Sequence, residues 1–359
     1  MKSGNKFRVL IVKPSSLGDL FHVFPAISIL TAAHPEVEID WVVHPAFADV
    51  LKYCPNIRRI IIFKRKELGS IKTFLPNFIK LFAELRRERY DLVIDFQGLF
   101  RSALFASLTK CRTVAGFASP KEPAAKFFYT RKIAIPASAV HAVDKNVSLM
   151  QTLLKSKIAP AAPSLAPVKE FADKTEKLFA EHGVSNSSRL VGIIPGARWH
   201  SKCWPPAFFA EIINAAHRLN PEFKFLILGS KSDRHAADEI IKTANRDAAI
   251  VSLAGKTGIG ELVEAIRRCE FIISNDSGPI HIAAAMNKPV FAFFGPTDHL
   301  KTGPYGNIHS IFQADLPCVK CLKRKCPLGT LDCHKLEISK ITDKLSHFIN
   351  NGAANENAR

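Results

Sequence analysis

The stretch FRVLIVKPSSLGD, from Phe7 to Asp19, decides the fold class. Residues 7–13 are almost continuously apolar and of strand length, the texture of a strand buried on both faces of a parallel sheet. Pro14, Ser15, Ser16, Leu17, Gly18 and Asp19 form the turn cluster that stops it, and residues 20–33 then show helical periodicity. The same unit recurs. Strands are expected at 38–43, 59–63 and 91–95, and Phe74, Phe78, Phe82 and Leu85 fall on one face of a helix. Strands and helices alternating at this spacing point to a doubly wound α/β domain.

Residues 158–167, IAPAAPSLAP, interrupt the pattern with prolines and no charge, the composition of a semi-rigid linker. Alternation resumes beyond it, with strands expected at 190–195, 223–228, 271–274 and 290–294. The reading is therefore two similar α/β domains, residues 1–164 and 165–345, facing each other across a cleft. The last helix is expected to pack back toward the N-terminal domain, and residues 346–359 to form a polar tail. In such folds ligands sit outside the carboxyl ends of the strands.

Composition narrows the partners. The 359 residues suit about two domains. A 47% hydrophobic and 23% charged chain is globular, which excludes disorder as the main state. The net charge is +18, and it is uneven: residues 1–165 hold 25 basic and 12 acidic side chains, residues 166–359 hold 25 and 20. An anionic partner should therefore meet the N-terminal half; nucleic acid, an anionic membrane surface and a phosphorylated substrate all fit that sign. The longest apolar runs are strand-length, well below the roughly 18 residues of a spanning helix. The opening MKSGNKF has no apolar signal core and reads as a cytoplasmic N-terminus.

Three turn segments carry candidate chemistry. Asn275, Asp276, Ser277, Gly278, Pro279, Ile280 and His281 lie between a strand and an Ala-rich helix; small residues and free backbone N–H groups there suit a phosphate, and an ordinary helix cap fits equally. The next strand ends in Phe294-Gly295-Pro296-Thr297-Asp298, a second turn at the same sheet edge. In residues 196–205, GARWHSKCWP, Arg198 and Lys202 could balance a diphosphate or simply be a solvated basic loop, and the two tryptophans favour a shaped pocket. Asp19, at a loop-to-helix junction, could cap the helix or act as a general base. No complete GxGxxG and no Walker A sequence occurs.

Eight cysteines are present. Cys54, Cys111, Cys203 and Cys269 are scattered, as buried thiols are. Cys318, Cys321, Cys326 and Cys333 are clustered; they could hold a structural zinc ion or be free thiols. Lys320, Lys323, Arg324 and Lys325 run among them, but the segment lacks the aromatic residues of a nucleic-acid-binding ribbon.

VLIVKPSSLGDLFHVFPA (9–26), DFQGLFRSAL (95–104), residues 196–205 and SNDSGPIHIAAAMNKPVFAFFGPTD (274–298) together resemble glycosyltransferase family 9, the ADP-heptose:lipopolysaccharide heptosyltransferases. The likeness runs from about Phe7 to Lys335. The cysteine cluster resembles type II members; Thr302-Gly303-Pro304-Tyr305-Gly306 and Lys121-Glu122-Pro123 resemble type I. The resemblance implies a GT-B fold of two Rossmann-like domains, acceptor on the N-terminal one and nucleotide sugar on the C-terminal one. It implies inverting transfer of L-glycero-D-manno-heptose from ADP-heptose to the Kdo/heptose inner core, with no cofactor required. Asp19 matches the general base and Lys202 the phosphate-binding lysine. Donor contacts are implied for Arg198, Ser201, Glu261, Asp276, Ser277, Gly278, His281 and Thr297. Acceptor contacts are implied for Ser15, Ser16, Gly18, Lys64, Arg65, Gln97 and Lys121. The enzyme would be cytoplasmic and peripheral on the inner membrane. The rivals are the same fold with another nucleotide sugar or surface glycan, and a non-catalytic protein binding nucleic acid or other anions, against which Asp19, Lys202 and residues 276–281 argue jointly.

Overall fold

The computed structural model of the chain describes residues 6–64, 67, 74–163 and 165–351. It divides into two compact units, Met1–Ala166 and Pro167–Arg359. The boundary falls within the proline-rich linker.

The first unit holds β1 (Arg8–Val12), α1 (Leu17–Phe21), α2 (Phe24–Ala33), β2 (Glu38–Val43), β3 (Ile57–Ile62), α3 (Phe74–Arg86), β4 (Leu92–Asp95), α4 (Phe100–Ser107), β5 (Val114–Phe117), β6 (Arg131–Ile133) and α5 (Ala142–Leu154). The second holds α6 (Lys169–Glu181), β7 (Arg189–Ile194), α7 (Pro206–Leu219), β8 (Phe223–Ile227), α8 (Arg234–Thr243), β9 (Ala249–Ser252), α9 (Ile259–Arg268), β10 (Cys269–Asn275), α10 (Pro279–Ala285), β11 (Val290–Phe294), α11 (His299–Thr302), β12 (Ser310–Gln313) and α12 (Ile338–Asn351).

Each unit has one parallel sheet, ordered β3-β2-β1-β4-β5-β6 and β12-β11-β10-β7-β8-β9. Counted from each unit's own first strand, the two orders are the same doubly wound 3-2-1-4-5-6. The direction of winding reverses between β1 and β4, and between β7 and β10. That reversal opens a crevice at the strands' carboxyl ends, where such sheets bind ligands. The central strands are apolar on both faces because helices cover both faces: Val9, Leu10, Ile11 and Val12 are all buried, as are Phe271, Ile272 and Ile273.

Three expectations need correction. The helix read at 20–33 is two helices, since Pro25 enters α2 at its second position and the chain turns at His22 and Val23. The last helix packs on α7 of its own unit, with Ile341 and Leu345 in that unit's core. Residues 346–351, read as tail, continue α12, and Phe348 stands edge-on to Phe271 and Phe291, with ring centroids 5.2 and 5.5 Å away.

Candidate active site

In the first unit, the β1 and β4 loops flank the crevice. Asp19 sits at the third position of α1, where its Oδ2 accepts from the Ser16 backbone N–H (2.9 Å) and from the Ser16 hydroxyl (3.0 Å). Capping is therefore a real role of Asp19. It engages one oxygen; Oδ1 lies 4.0 Å from Nδ1 of the buried His22, and a third of the side chain is exposed. Burial works against ionisation of Asp19. It is outweighed by the Lys13 ammonium, the Ser16 backbone N–H, His22 and the Ser16 hydroxyl, which hold the carboxyl below its ordinary range.

Lys13 is a residue the sequence reading passed over. It follows directly on β1 as a charged side chain only 7% exposed. Its Nζ donates to the Phe96 carbonyl oxygen (3.2 Å). Burial lowers its pKa, the charge of Asp19 opposes that, and Lys121 adds to the lowering. The Phe96–Gly98 turn is held from beneath by Asp95, which is fully buried. Asp95 accepts from the backbone N–H groups of Gln97 (2.8 Å) and Gly98 (3.2 Å), from Ser102 Oγ (2.8 Å) and from Tyr129 Oη (2.7 Å). Burial still raises its pKa despite those four bonds. Ser15 N–H donates to Gln97 Oε1 (3.4 Å), tying the two loops together. Lys121 joins this edge because Gly98 has φ +67° and no Cβ; a Cβ there would meet the Lys121 backbone nitrogen at 3.2 Å.

Ser15, Ser16, Gly18, Asp19, Gln97 and Lys121 are thus brought to one sheet edge. Lys64 is not part of that hydrogen-bonded group: it lies past β3, is half exposed, and pairs with Glu67 at 3.1 Å. Arg65 lies outside the described residues.

In the second unit, the corresponding loops follow β7 and β10. Lys202 Nζ lies 2.6 Å from Asp276 Oδ2, with the two side chains 15% and 7% exposed. Thr297 Oγ1 donates to the same carboxylate. Lys202 also lies over the Trp199 ring, 4.8 Å from its centroid. Asn275 Nδ2 donates to the Pro195 carbonyl (2.5 Å), locking the end of β10 to the end of β7. Gly196 lets the Asp233 carboxylate pack close against the backbone, and a Cβ there would have to displace that side chain. Ser277, Gly278 and His281 continue from Asp276 into α10; His281 is buried, and Ser277 Oγ lies 3.3 Å from Ser274 Oγ.

Ser201 faces away from this pair. Its hydroxyl donates to the Lys323 carbonyl at 2.7 Å, so it supports the loop. Arg198 is exposed and outside the network. Glu261 stands in the first turn of α9, the helix that leads from β9 to β10 and packs against β10 and α10. The structure therefore brings together Lys202, Asp276 and Thr297, with Arg198 outside their hydrogen bonds. Gln313 was also missed: its amide donates to the Gly295 (3.2 Å) and Thr297 (2.9 Å) carbonyls and fixes the second turn.

The cysteines Cys318, Cys321, Cys326 and Cys333 are all free and line one cavity. Among the described residues, no three Cys, His, Asp or Glu side chains already stand in metal-holding geometry.

A sequence model of glycosyltransferase family 9 (heptosyltransferase) matches residues 78–332, most of the chain. The chain belongs to glycosyltransferase family 9. Relatives in this family include the lipopolysaccharide heptosyltransferase 1 of Pseudomonas aeruginosa, 30% identical over 324 residues that span 89% of this chain and 87% of that protein. The Escherichia coli K12 lipopolysaccharide heptosyltransferase 1 is 28% identical, over 86% of this chain and 93% of its own length. Among solved family structures, E. coli heptosyltransferase WaaC with ADP superposes with a TM-score of 0.72 at 24% identity, over 86% of this chain and 94% of that one. The E. coli ADP-heptose lipopolysaccharide heptosyltransferase II gives 0.71 at 23%, over 94% and 99%. These structures share the fold of two Rossmann-like units, and family 9 membership makes the chain a glycosyltransferase.

Proposed function

We propose that this glycosyltransferase moves L-glycero-D-manno-heptose from ADP-heptose to the Kdo/heptose inner core of lipopolysaccharide, with inversion at the anomeric carbon. The observation that carries the donor half is the meeting of Lys202, Asp276 and Thr297, from three distant sequence segments, at the crevice between β7 and β10. Relatives of this chain are named lipopolysaccharide heptosyltransferase 1, which supports a heptose donor and a lipopolysaccharide acceptor.

Asp19 takes the proton of the attacking acceptor hydroxyl. Its Oδ2 is engaged by Ser16, so Oδ1 is the accepting atom. As the carbon–oxygen bond to the acceptor forms, the bond to the diphosphate breaks and the charge passes to ADP. Lys202 has N–H groups to spare beyond Asp276 and offsets that charge. A carboxylate held at low pKa is a weak base. An anionic acceptor supplies the remedy: its negative charge beside Lys13 and Lys121 cancels the field that depresses Asp19, and its bulk removes water from Oδ1. The base is then strongest when the acceptor is in place.

The inner-membrane surface is the second partner in this reading. Among the described residues no helix is long and apolar enough to cross a membrane. Support for a peripheral, cytoplasmic-face location comes from the basic first unit and from Leu75 and Ile79, 62% and 56% exposed on α3.

The test is incubation with ADP-heptose and either Kdo-bearing lipid A or the same core already holding one heptose, read by mass spectrometry. Addition of one heptose supports the reading, and the acceptor used assigns the type. A folded protein that binds ADP but transfers to neither acceptor sinks it in favour of another sugar donor or glycan.

A further inference from the structure

Between β12 and α12, residues 314–337 contain one short 3-10 turn, Asp332–His334, and no other helix or strand. None of these residues is buried, and Leu322 and Leu328 are 62% and 64% exposed. A segment this long with no apolar core of its own needs another source of order. It nevertheless holds Lys320, Leu322 and Leu331 in the left-handed region, at φ 63°, 57° and 50°. Residues with a Cβ adopt that conformation at a cost, so something must hold them there.

Those turns have a common result. Lys320 and Leu322 flank Cys321 and fold the Cys318–Cys321 pair toward the same cavity as Cys326 and Cys333, a space of about 170 Å³. The turn after Cys326 is closed by the Gly329 N–H, which donates to the Cys326 carbonyl oxygen (3.3 Å). We propose that Cys318, Cys321, Cys326 and Cys333 bind one thiophilic divalent metal ion, zinc or iron, and that the resulting knuckle locks the loop carrying Lys202. Four thiol protons leave as four metal–sulfur bonds form. Lys323, Arg324 and Lys325 offset the two negative charges that remain. The sulfurs line the wall rather than meet at a point, and the segment has no packed core to resist the closure that binding requires.

The locking follows from who holds the loops. Ser201, next to Lys202, donates its hydroxyl to Lys323 O (2.7 Å) and its N–H to Arg324 O (3.4 Å), and its carbonyl lies 2.8 Å from His334 Nε2. Lys320 N–H donates to Gly295 O (3.3 Å) and Leu322 N–H to Pro296 O (2.8 Å), so the turn bearing Thr297 hangs on the same knuckle. This second half of the proposal rests on the donor reading of Lys202; the metal site itself does not.

The experiment uses the full chain, purified without added metal. Elemental analysis should find about one zinc or iron per chain. The four thiols should resist alkylation until a chelator or mercurial releases the ion. The Cys321→Ser/Cys326→Ser double variant should lose the metal, while Cys111→Ser keeps it. Release from the unmutated protein should weaken ADP binding about tenfold, and restoring the ion should recover it. This arm stands even if the double variant does not fold. Less than a tenth of an equivalent after anaerobic reconstitution with zinc or ferrous iron overturns the site, and so does a mass showing disulfides. A bound metal whose release leaves ADP affinity unchanged overturns the locking. Loss of the ADP-heptose reading itself would show as no ADP binding with the metal still in place.

Discussion

The two crevices share one topology and use a lysine and an aspartate in opposite ways. At β7/β10 the lysine and the carboxylate touch, 2.6 Å apart and almost buried. At β1/β4 the lysine is spent on the Phe96 carbonyl, the aspartate on Ser16, and the charge acts through space. A contact ion pair leaves a cation that can turn to a third charge. A fixed cation instead sets the protonation state of a neighbour. In the proposed mechanism the same fold supplies a charge clamp for a leaving group in one unit and a tuned proton acceptor in the other.

The largest test of this contrast is Asp19→Ala. It should lower kcat by about 10²–10⁴ with KM little changed, in steady-state assays with both substrates varied. Lys202→Ala should act on the other side, weakening ADP binding by about ten- to a hundredfold by calorimetry, because a charge-assisted contact is worth roughly 1.5–3 kcal/mol. Equal effects of the two substitutions on ADP affinity would erase the distinction.

Next comes pH. With Asp19 held below its ordinary range, kcat/KM should show no acid limb from this group above about pH 4. Lys13→Met keeps the volume and removes the cation that stabilises the charged form, so an acid limb should move upward into view. The linkage to stability has the same sign. What the depressed pKa contributes is present above the ordinary carboxylate range and is lost as pH falls through the folded value. A profile unchanged in Lys13→Met would mean Ser16 and His22 alone set Asp19.

Tyr129→Phe should lower stability by about 1–3 kcal/mol, since it strips one donor from the buried Asp95. That is a fall of about 2–4 °C in Tm per kcal/mol by calorimetry. Lys64→Ala should be the smallest change, within about 0.5 kcal/mol and with transfer unaltered, because its charge is half exposed and already paired with Glu67. A strong loss of activity there would return Lys64 to the acceptor site.

The fold was legible because the central strands carry apolar runs bounded by turn residues: β2 and β11 have the bounds expected of them, and β1, β4 and β10 lie within a few residues of theirs. β5 and the edge strands β6, β9 and β12, of three or four residues, carry no apolar run long enough to stand out. Asp19, Lys202 and Asp276 stood out as charges in turns after strands. Lys13 and Asp95 did not, because each completes a strand and reads as its end. What makes them matter is a partner more than eighty residues away in the one case and up to 34 in the other, Phe96 and Tyr129. Arg198 was read from its place in a basic loop after a strand, and spacing alone does not report which way a loop carries a side chain.

The placement of Trp199 gives the proposed donor site an optical signal. The chain has three tryptophans. Trp41 and Trp204 are sealed in the interior, whereas Trp199 is partly exposed, with the Lys202 ammonium 4.8 Å and the Arg324 guanidinium 5.8 Å from its ring centroid. Indole emission responds to nearby charge, so the colour of this one fluorophore records where Lys202 is. A diphosphate that draws the ammonium off the ring would report its own arrival, on the timescale of mixing and without a label.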